Sequence, residues 1–155
     1  MASPFFFVGE KDGSKLQPVQ DYQKLNDIMV KNQTPLSLIS ELFNKLQGAH
    51  YFSKFDVCWG YNNIRIKEND EWKATFKCSL GLFESMVMTF GLCNAPATFQ
   101  AFMNKIFKDL IDNGHTVVYL DNILLFYDTI PELHNLTYEV LCCLKTYNLF
   151  LKLKK

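Results

Sequence analysis

An α+β fold, an antiparallel sheet with helices packed on one face in a split β-α-β order, is predicted by three observations. Runs of β-branched and aromatic residues read as strands at 51–57 and on both sides of Asp121-Asn122. Two segments, one from Ala95 and one from about Pro131, repeat apolar residues at helical spacing and bracket that second strand pair. The 155 residues are 48% hydrophobic and 15% aromatic, enough to bury a core in one domain.

Along the chain, Pro4 to Val8 is an extended apolar run. Gly9-Glu-Lys-Asp-Gly13 supplies turn residues before Leu16 to Tyr22, which alternates like a half-buried strand, so this region is predicted to be a hairpin. Pro35 opens a helical pattern through Leu36, Ile39, Leu42, Phe43 and Leu46, with Gly48 at its stop. Strands are expected at 51–57, 62–67 and 72–77. From Ala95 a helix places Phe99, Phe102, Met103, Ile106, Phe107 and Leu110 at helical spacing, with Gly114 beyond its end. The Asp121-Asn122 hairpin follows, its polar pair suited to a turn. A helix from about Pro131 to Tyr147 aligns Leu133, Leu136, Val140, Leu141 and Leu144, and an extended piece starts at Leu149.

Sixteen basic and sixteen acidic residues cancel, so a surface for a polyanion must be local rather than global. Five cysteines without a C-x-x-C pair argue against a disulfide framework or a structural zinc site. No signal-like segment and no apolar run of about 20 residues is present, so an intracellular chain, cytoplasmic or nuclear and not secreted, is expected, with no membrane partner. His50, His115 and His134 lack metal-ligand spacing and are expected on the surface or in loops, and Trp59 and Trp72 are expected to pack.

Three segments carry chemistry. Asp121 closes one strand run in Thr116-Val-Val-Tyr-Leu-Asp-Asn-Ile-Leu-Leu-Phe126, and Asp56 closes another in Tyr51-Phe-Ser-Lys-Phe-Asp-Val-Cys-Trp-Gly-Tyr61. Carboxylates at adjacent strand ends suit hard cations such as magnesium. Taken singly, Asp56 is equally a strand terminator and Asp121 equally a turn former. Between them, Phe90-Gly-Leu-Cys-Asn-Ala-Pro-Ala-Thr-Phe-Gln100 is a loop-to-helix junction in which glycine permits close approach and proline starts the helix.

In order and spacing these segments resemble the reverse transcriptase (RNA-directed DNA polymerase) domain of long-terminal-repeat retrotransposon polyproteins of the Ty3/gypsy class. The resemblance runs from about Ser3 to Lys155. It implies the fingers and palm of a polymerase, fingers-like over about 1–50 and palm-like over about 51–155, with fingers elements near 62–90. Thumb, ribonuclease H and integrase regions are expected to be absent, leaving sheet edges and the apolar Leu149 to Leu153 prone to aggregate. It further implies two-metal nucleotidyl transfer with Mg2+, or Mn2+, held by Asp56, Asp121 and the Val57 backbone carbonyl. Partners would be an RNA or DNA template-primer and deoxynucleoside triphosphates, and the oligomeric state is left open. Lys11, Lys15 and Gln17 fall in the stretch that grips the triphosphate, Tyr61 at the aromatic sugar gate, and Phe90 and Gly91 beside the templating pair. Gln100 would reach a nucleic-acid backbone or face water.

The chain departs from the family at charged positions. The hairpin usually reads Tyr-x-Asp-Asp, and Asn122 replaces its second acid. An amide brings an oxygen but no charge, and loss of one such group is comparable to the roughly 3–4 kcal/mol lost with an oxyanion donor. Gln17 and Gln23 stand where arginine is usual, and Cys58 where it is frequent; an amide cannot make the bidentate contacts of a guanidinium. These losses predict a degenerate fragment with weak or no polymerisation. The alternative is a co-opted module that binds nucleic acid or protein without catalysis.

Overall fold

The computed structural model describes residues 2–9, 16–34 and 39–152. The chain divides into two compact units, Met1–Asn32 with Tyr61–Pro96, and Gln33–Gly60 with Ala97–Lys155.

The first unit is built on a four-stranded sheet in the order β2-β1-β4-β5. β1 (Ser3–Gly9) and β2 (Leu16–Gln20) form the expected antiparallel hairpin, with Phe5 opposite Gln20. Ser3 and Pro4 run parallel to Phe76 and Lys77 of β4 (Thr75–Cys78), which turns back into β5 (Gly81–Glu84). Phe5, Phe76 and Phe83 stack across three strands at 5.4 and 5.9 Å, the cross-strand pairing that stabilises a sheet face. A short helix, α1 (Gln23–Ile28), follows β2 and has no counterpart in the sequence reading. Tyr22, 1% exposed, starts it; its hydroxyl donates to the Ala74 carbonyl and accepts from Thr89.

Two of the expected strands come out differently. Residues 62–67 form no strand: Gly60–Asn63 is a 3-10 turn, because the adjacent Asn62 and Asn63 favour turns. Ile64 and Ile66 nonetheless bond to Met88 and Met86, and a single bridge joins Arg65 to Val87. Likewise 72–77 opens with a 3-10 turn, Glu71–Ala74, so β4 begins only at Thr75.

The second unit carries an antiparallel sheet in the order β3-β7-β6, from β3 (Tyr51–Asp56), β6 (Thr116–Tyr119) and β7 (Asn122–Tyr127). α5 (Ile130–Thr146) packs on β3 and β7, and α4 (Lys108–Asp112) on β6. Pro131 lies in the first turn of α5, where its missing N–H costs nothing. Leu133, Leu136, Val140 and Leu144 are buried, whereas Leu141, expected on that face, is 42% exposed, one residue off the stripe. The helix from Ala95 is α3 (Ala95–Ile106), which breaks at Phe107 before α4. Phe99, Met103 and Phe107 are wholly buried, as are Ile123 and Leu125 of β7. α2 (Ile39–Lys45) supplies the expected helix; Pro35 and Leu36 lie outside the described residues. At the other end Leu149 is buried, and Leu151 forms an isolated antiparallel bridge to Val57, just past the end of β3. No helix among the described residues is long and apolar enough to cross a membrane.

Candidate active site on the β3 and β6-β7 strand ends

The site grows out of strand register. Asp56, last in β3, pairs with Asn122, first in β7, which in turn pairs with Tyr119 at the end of β6. The two-residue loop is therefore Leu120-Asp121, one residue earlier than the expected Asp121-Asn122, and Asn122 belongs to the strand. Leu120 has φ 52°, and left-handed backbone costs an L-residue roughly 1–2 kcal/mol. A positive φ at the first loop position is the sign pattern of a II′ turn, which matches the twist of the strands it joins. The sequence offers no glycine there, so the strained residue is set by sheet closure rather than by local preference.

Main-chain bonds then hold the two acids together. The Val57 N–H donates to the Asp121 carbonyl at 2.7 Å, and the Lys152 N–H donates to the Asp56 carbonyl at 2.8 Å. Gly60 adds close approach: a Cβ there would meet the Phe99 ring at 3.2 Å and the Asp121 Cβ at 3.4 Å. Each carboxylate has a cation beside it. Lys54 Nζ lies 3.4 Å from Asp56 Oδ1, and Lys152 Nζ 3.3 Å from Asp121 Oδ2. Asn122 turns its Nδ2 toward Asp121 Oδ1 at 3.2 Å. An acid at 122 would bring a third negative charge, whereas the amide spends a donor on its neighbour. Surface ion pairs contribute about 1 kcal/mol or less, so Lys152 does not bar a dication from Asp121. Among the described residues no group of three or more His, Cys, Asp or Glu converges as a metal centre. Asp56 and Asp121 offer hard carboxylate oxygens, the donor type that suits a divalent cation such as magnesium, and the amide at Asn122 adds no charge to them.

Gln100 departs from both of its expected places. It neither faces water nor is free for nucleic acid: it is 1% exposed, because its α3 position aims it at the outer edge of β6. Its Oε1 accepts from the Leu120 N–H at 2.7 Å, and its Nε2 donates to the Val118 carbonyl at 3.0 Å and to Asn104 Oδ1 at 2.8 Å. Gly60, Leu120 and Lys152 join the site without a signal in the sequence, except that Gly60 lies close after Asp56 along the chain.

In the first unit, Tyr61 and Phe90 come together edge to face, ring centroids 4.8 Å apart, with Phe90 56% exposed. Gly91 has φ 99°, and a Cβ there would meet the Gln20 carbonyl at 3.3 Å and Tyr22 Cδ2 at 3.4 Å. Two asparagines pin this loop. Asn26 donates to the Gly91 carbonyl at 2.7 Å and accepts from the Cys93 N–H at 2.9 Å; Asn94 donates to the Val30 carbonyl and accepts from the Asn32 N–H. Lys11 and Lys15 lie outside the described residues. Gln17 pairs with Val8 in the β1-β2 ladder, and Gln23 opens α1, exposed, its N–H on Asp21.

Trp59 and Trp72, expected to pack, are 73% and 58% exposed; Trp59 has φ 54° and Lys73 lies over the Trp72 ring. His50 is exposed beside Asp128, and His134 is exposed. His115 lies in the bend before β6, half-buried, and stacks on Tyr127 at 3.9 Å.

Residues 10–155 match the family model described as reverse transcriptase (RNA-dependent DNA polymerase). The chain belongs to the reverse transcriptase family. It is 40% identical over 154 residues to the Transposon Tf2-7 and Tf2-8 polyproteins of Schizosaccharomyces pombe, of Ty3/gypsy type, and 39% identical to Tf2-3. These matches cover 99% of this chain and 11% of each polyprotein, so the chain spans about a tenth of the relatives' length. Among solved structures, the foamy viral protease-reverse transcriptase dRH in complex with double-stranded DNA superposes with TM-score 0.88 at 22% identity, over 98% of this chain and 26% of that one. The same viral protein in complex with an RNA/DNA hybrid gives TM-score 0.85 at 22% identity, over 100% and 20%. The fold is thus that of the fingers and palm of reverse transcriptases.

Proposed function

We propose that this domain performs metal-assisted nucleotidyl transfer on a template-primer, attenuated at Asn122. The observation that carries it is the joining of Asp56 and Asp121 through the Val57 N–H, with an amide as the register partner of Asp56. Asp56, Asp121 and the Val57 carbonyl would hold Mg2+, or Mn2+ in its place. When bound, such ions lower the pKa of the attacking hydroxyl and neutralise the leaving phosphate. The chain's own part is to present two carboxylates already oriented by the main chain, so little reorganisation is left for the moment of reaction.

In this reading the first compact unit serves as fingers and the second as palm. Lys11, Lys15 and Gln17 would meet the triphosphate of a deoxynucleoside triphosphate, with Gln17 and Gln23 weaker than arginine. Tyr61, braced by Phe90, would exclude a 2′-hydroxyl, and Gly91 would keep the backbone beside the templating pair low. The template would be RNA or DNA, copied inside the cell. Primer extension on an RNA template with Mg2+ or Mn2+ tests this, comparing the chain with Asn122→Asp and Asp121→Ala. Extension restored by Asn122→Asp and lost in Asp121→Ala is the expected result. Binding of template-primer with no extension by any variant, in a folded chain, would replace it with a binding module lacking catalysis.

A further inference from the structure

We infer that Gln100 is a positioning residue whose side-chain amide holds the Leu120-Asp121 turn in its left-handed form and so sets where the Asp121 carboxylate stands. β6 is an edge strand of its sheet, and an edge leaves a row of unpaired main-chain groups. In extended backbone the carbonyl of one residue and the N–H two residues later point to the same side. Gln100 meets that pair, Val118 and Leu120, with one acceptor and one donor, doing with a single side chain what a neighbouring strand would do with its main chain. Its second amide hydrogen goes to Asn104, one helical turn along α3, which fixes which way the amide is turned. Every strong group of Gln100 is thereby used, and the side chain is buried. Its acceptor engages the N–H of Leu120, the residue at φ 52° immediately before Asp121. A residue held there against its own preference relaxes once its partner is withdrawn. The Asp121 carbonyl is fastened to Val57, so relaxation at Leu120 turns the Asp121 side chain away from Asp56 rather than shifting the strand.

This deepens the reading of Asp121 as a metal ligand and rests on it for its consequence, while the clamp itself is tested without metal. The chain is compared with Gln100→Met, which keeps the length of the side chain but offers Leu120 and Val118 no strong hydrogen-bonding group, with Gln100→Leu, and with Gln100→Leu combined with Leu120→Gly. Amide hydrogen exchange and backbone couplings are read by NMR, and Mn2+ affinity by titration calorimetry. The expected result is exchange at Leu120 faster by about tenfold or more, the loss of one hydrogen bond's protection, while Ile123 and Leu125 are unchanged. Mn2+ binding should weaken in both single variants and recover in the double variant, since glycine adopts positive φ unaided. Exchange at Leu120 rising only in step with Ile123 and Leu125 would reduce Gln100 to a packing residue and overturn the inference. Selective release of Leu120 with Mn2+ affinity unchanged would overturn it as well. If the parent chain binds no Mn2+, the metal-ligand reading of Asp121 fails by itself, and selective release of Leu120 still decides the clamp. Gln100→Met keeps the test open should Gln100→Leu not fold.

Discussion

Asn122 faces Asp56 across the β3-β7 ladder and donates its amide to Asp121, so one atom's identity decides the charge of the site. Replacing that amide with a carboxylate adds a full negative charge near a bound dication, and about 1.4 kcal/mol of net attraction is a tenfold change in affinity. Asn122→Asp is expected to tighten Mn2+ binding at least about tenfold by calorimetry. Without metal the same variant crowds three acids, so its melting point should fall below that of the parent chain and be regained on adding Mn2+. Gly60 makes a second prediction at this scale. A methyl there would sit 3.2 Å from the buried Phe99 ring and 3.4 Å from Asp121 Cβ, a forced overpacking. Gly60→Ala should cost about 1–3 kcal/mol in denaturant unfolding and lower Mn2+ affinity along with stability. Leu120 shows what sequence could not reveal at a single position: nothing about leucine suggests φ 52°, which follows from strand pairing and from Gln100.

At the scale of elements, the long apolar periodicities were readable and the short ones were not. α5 and the strands at 51–56 and 122–127 form where the pattern puts them, because α5 and β7 bury a face in the same core and β3 pairs residue for residue with β7. Residues 62–67 and 72–74 alternate as strands do, yet Asn62-Asn63 and the 3-10 turn at Glu71–Ala74 override an alternation too short to enforce a ladder. α1 was invisible for the opposite reason. Its six residues bury nothing, and it is kept in place by its own Asn26, whose side chain bonds both Gly91 and Cys93 of a distant loop. Asn26→Ala removes two side-chain bonds to the main chain, so a loss of about 1–2 kcal/mol is expected. Exchange of the Cys93 amide should then quicken well before the β1-β2 ladder opens, which hydrogen-exchange mass spectrometry would resolve.

For the molecule as a whole, stability carries a pH dependence from Tyr22. Burial raises its phenol pKa above the usual value, with the Thr89 hydrogen bond acting in the other direction. The folded chain therefore binds this proton more tightly than the unfolded chain does. Its stabilising share is complete below the unfolded value near 10.0 and is lost as pH rises through the higher folded value. The melting temperature should fall on that alkaline limb. Tyr22→Phe should flatten the limb, at the cost of the bonds to Ala74 and Thr89 near neutrality. A limb as steep in Tyr22→Phe as in the parent chain would assign it to other groups.

By itself the sequence determined the fold class, the family, and the two carboxylates at strand ends with an amide beside them. These are matters of periodicity, turn chemistry and residue type, which local order along a chain expresses directly. Tertiary structure alone decided that the turn is Leu120-Asp121 and not Asp121-Asn122, that Gln100 is buried under it, and that Lys54 and Lys152 flank the acids. Register, edge capping and ion pairing are relations between segments distant in sequence, 31 residues apart for Asp121 and Lys152 and farther still for Asp56 and Asn122, and only the closed sheet brings those partners within hydrogen-bond reach.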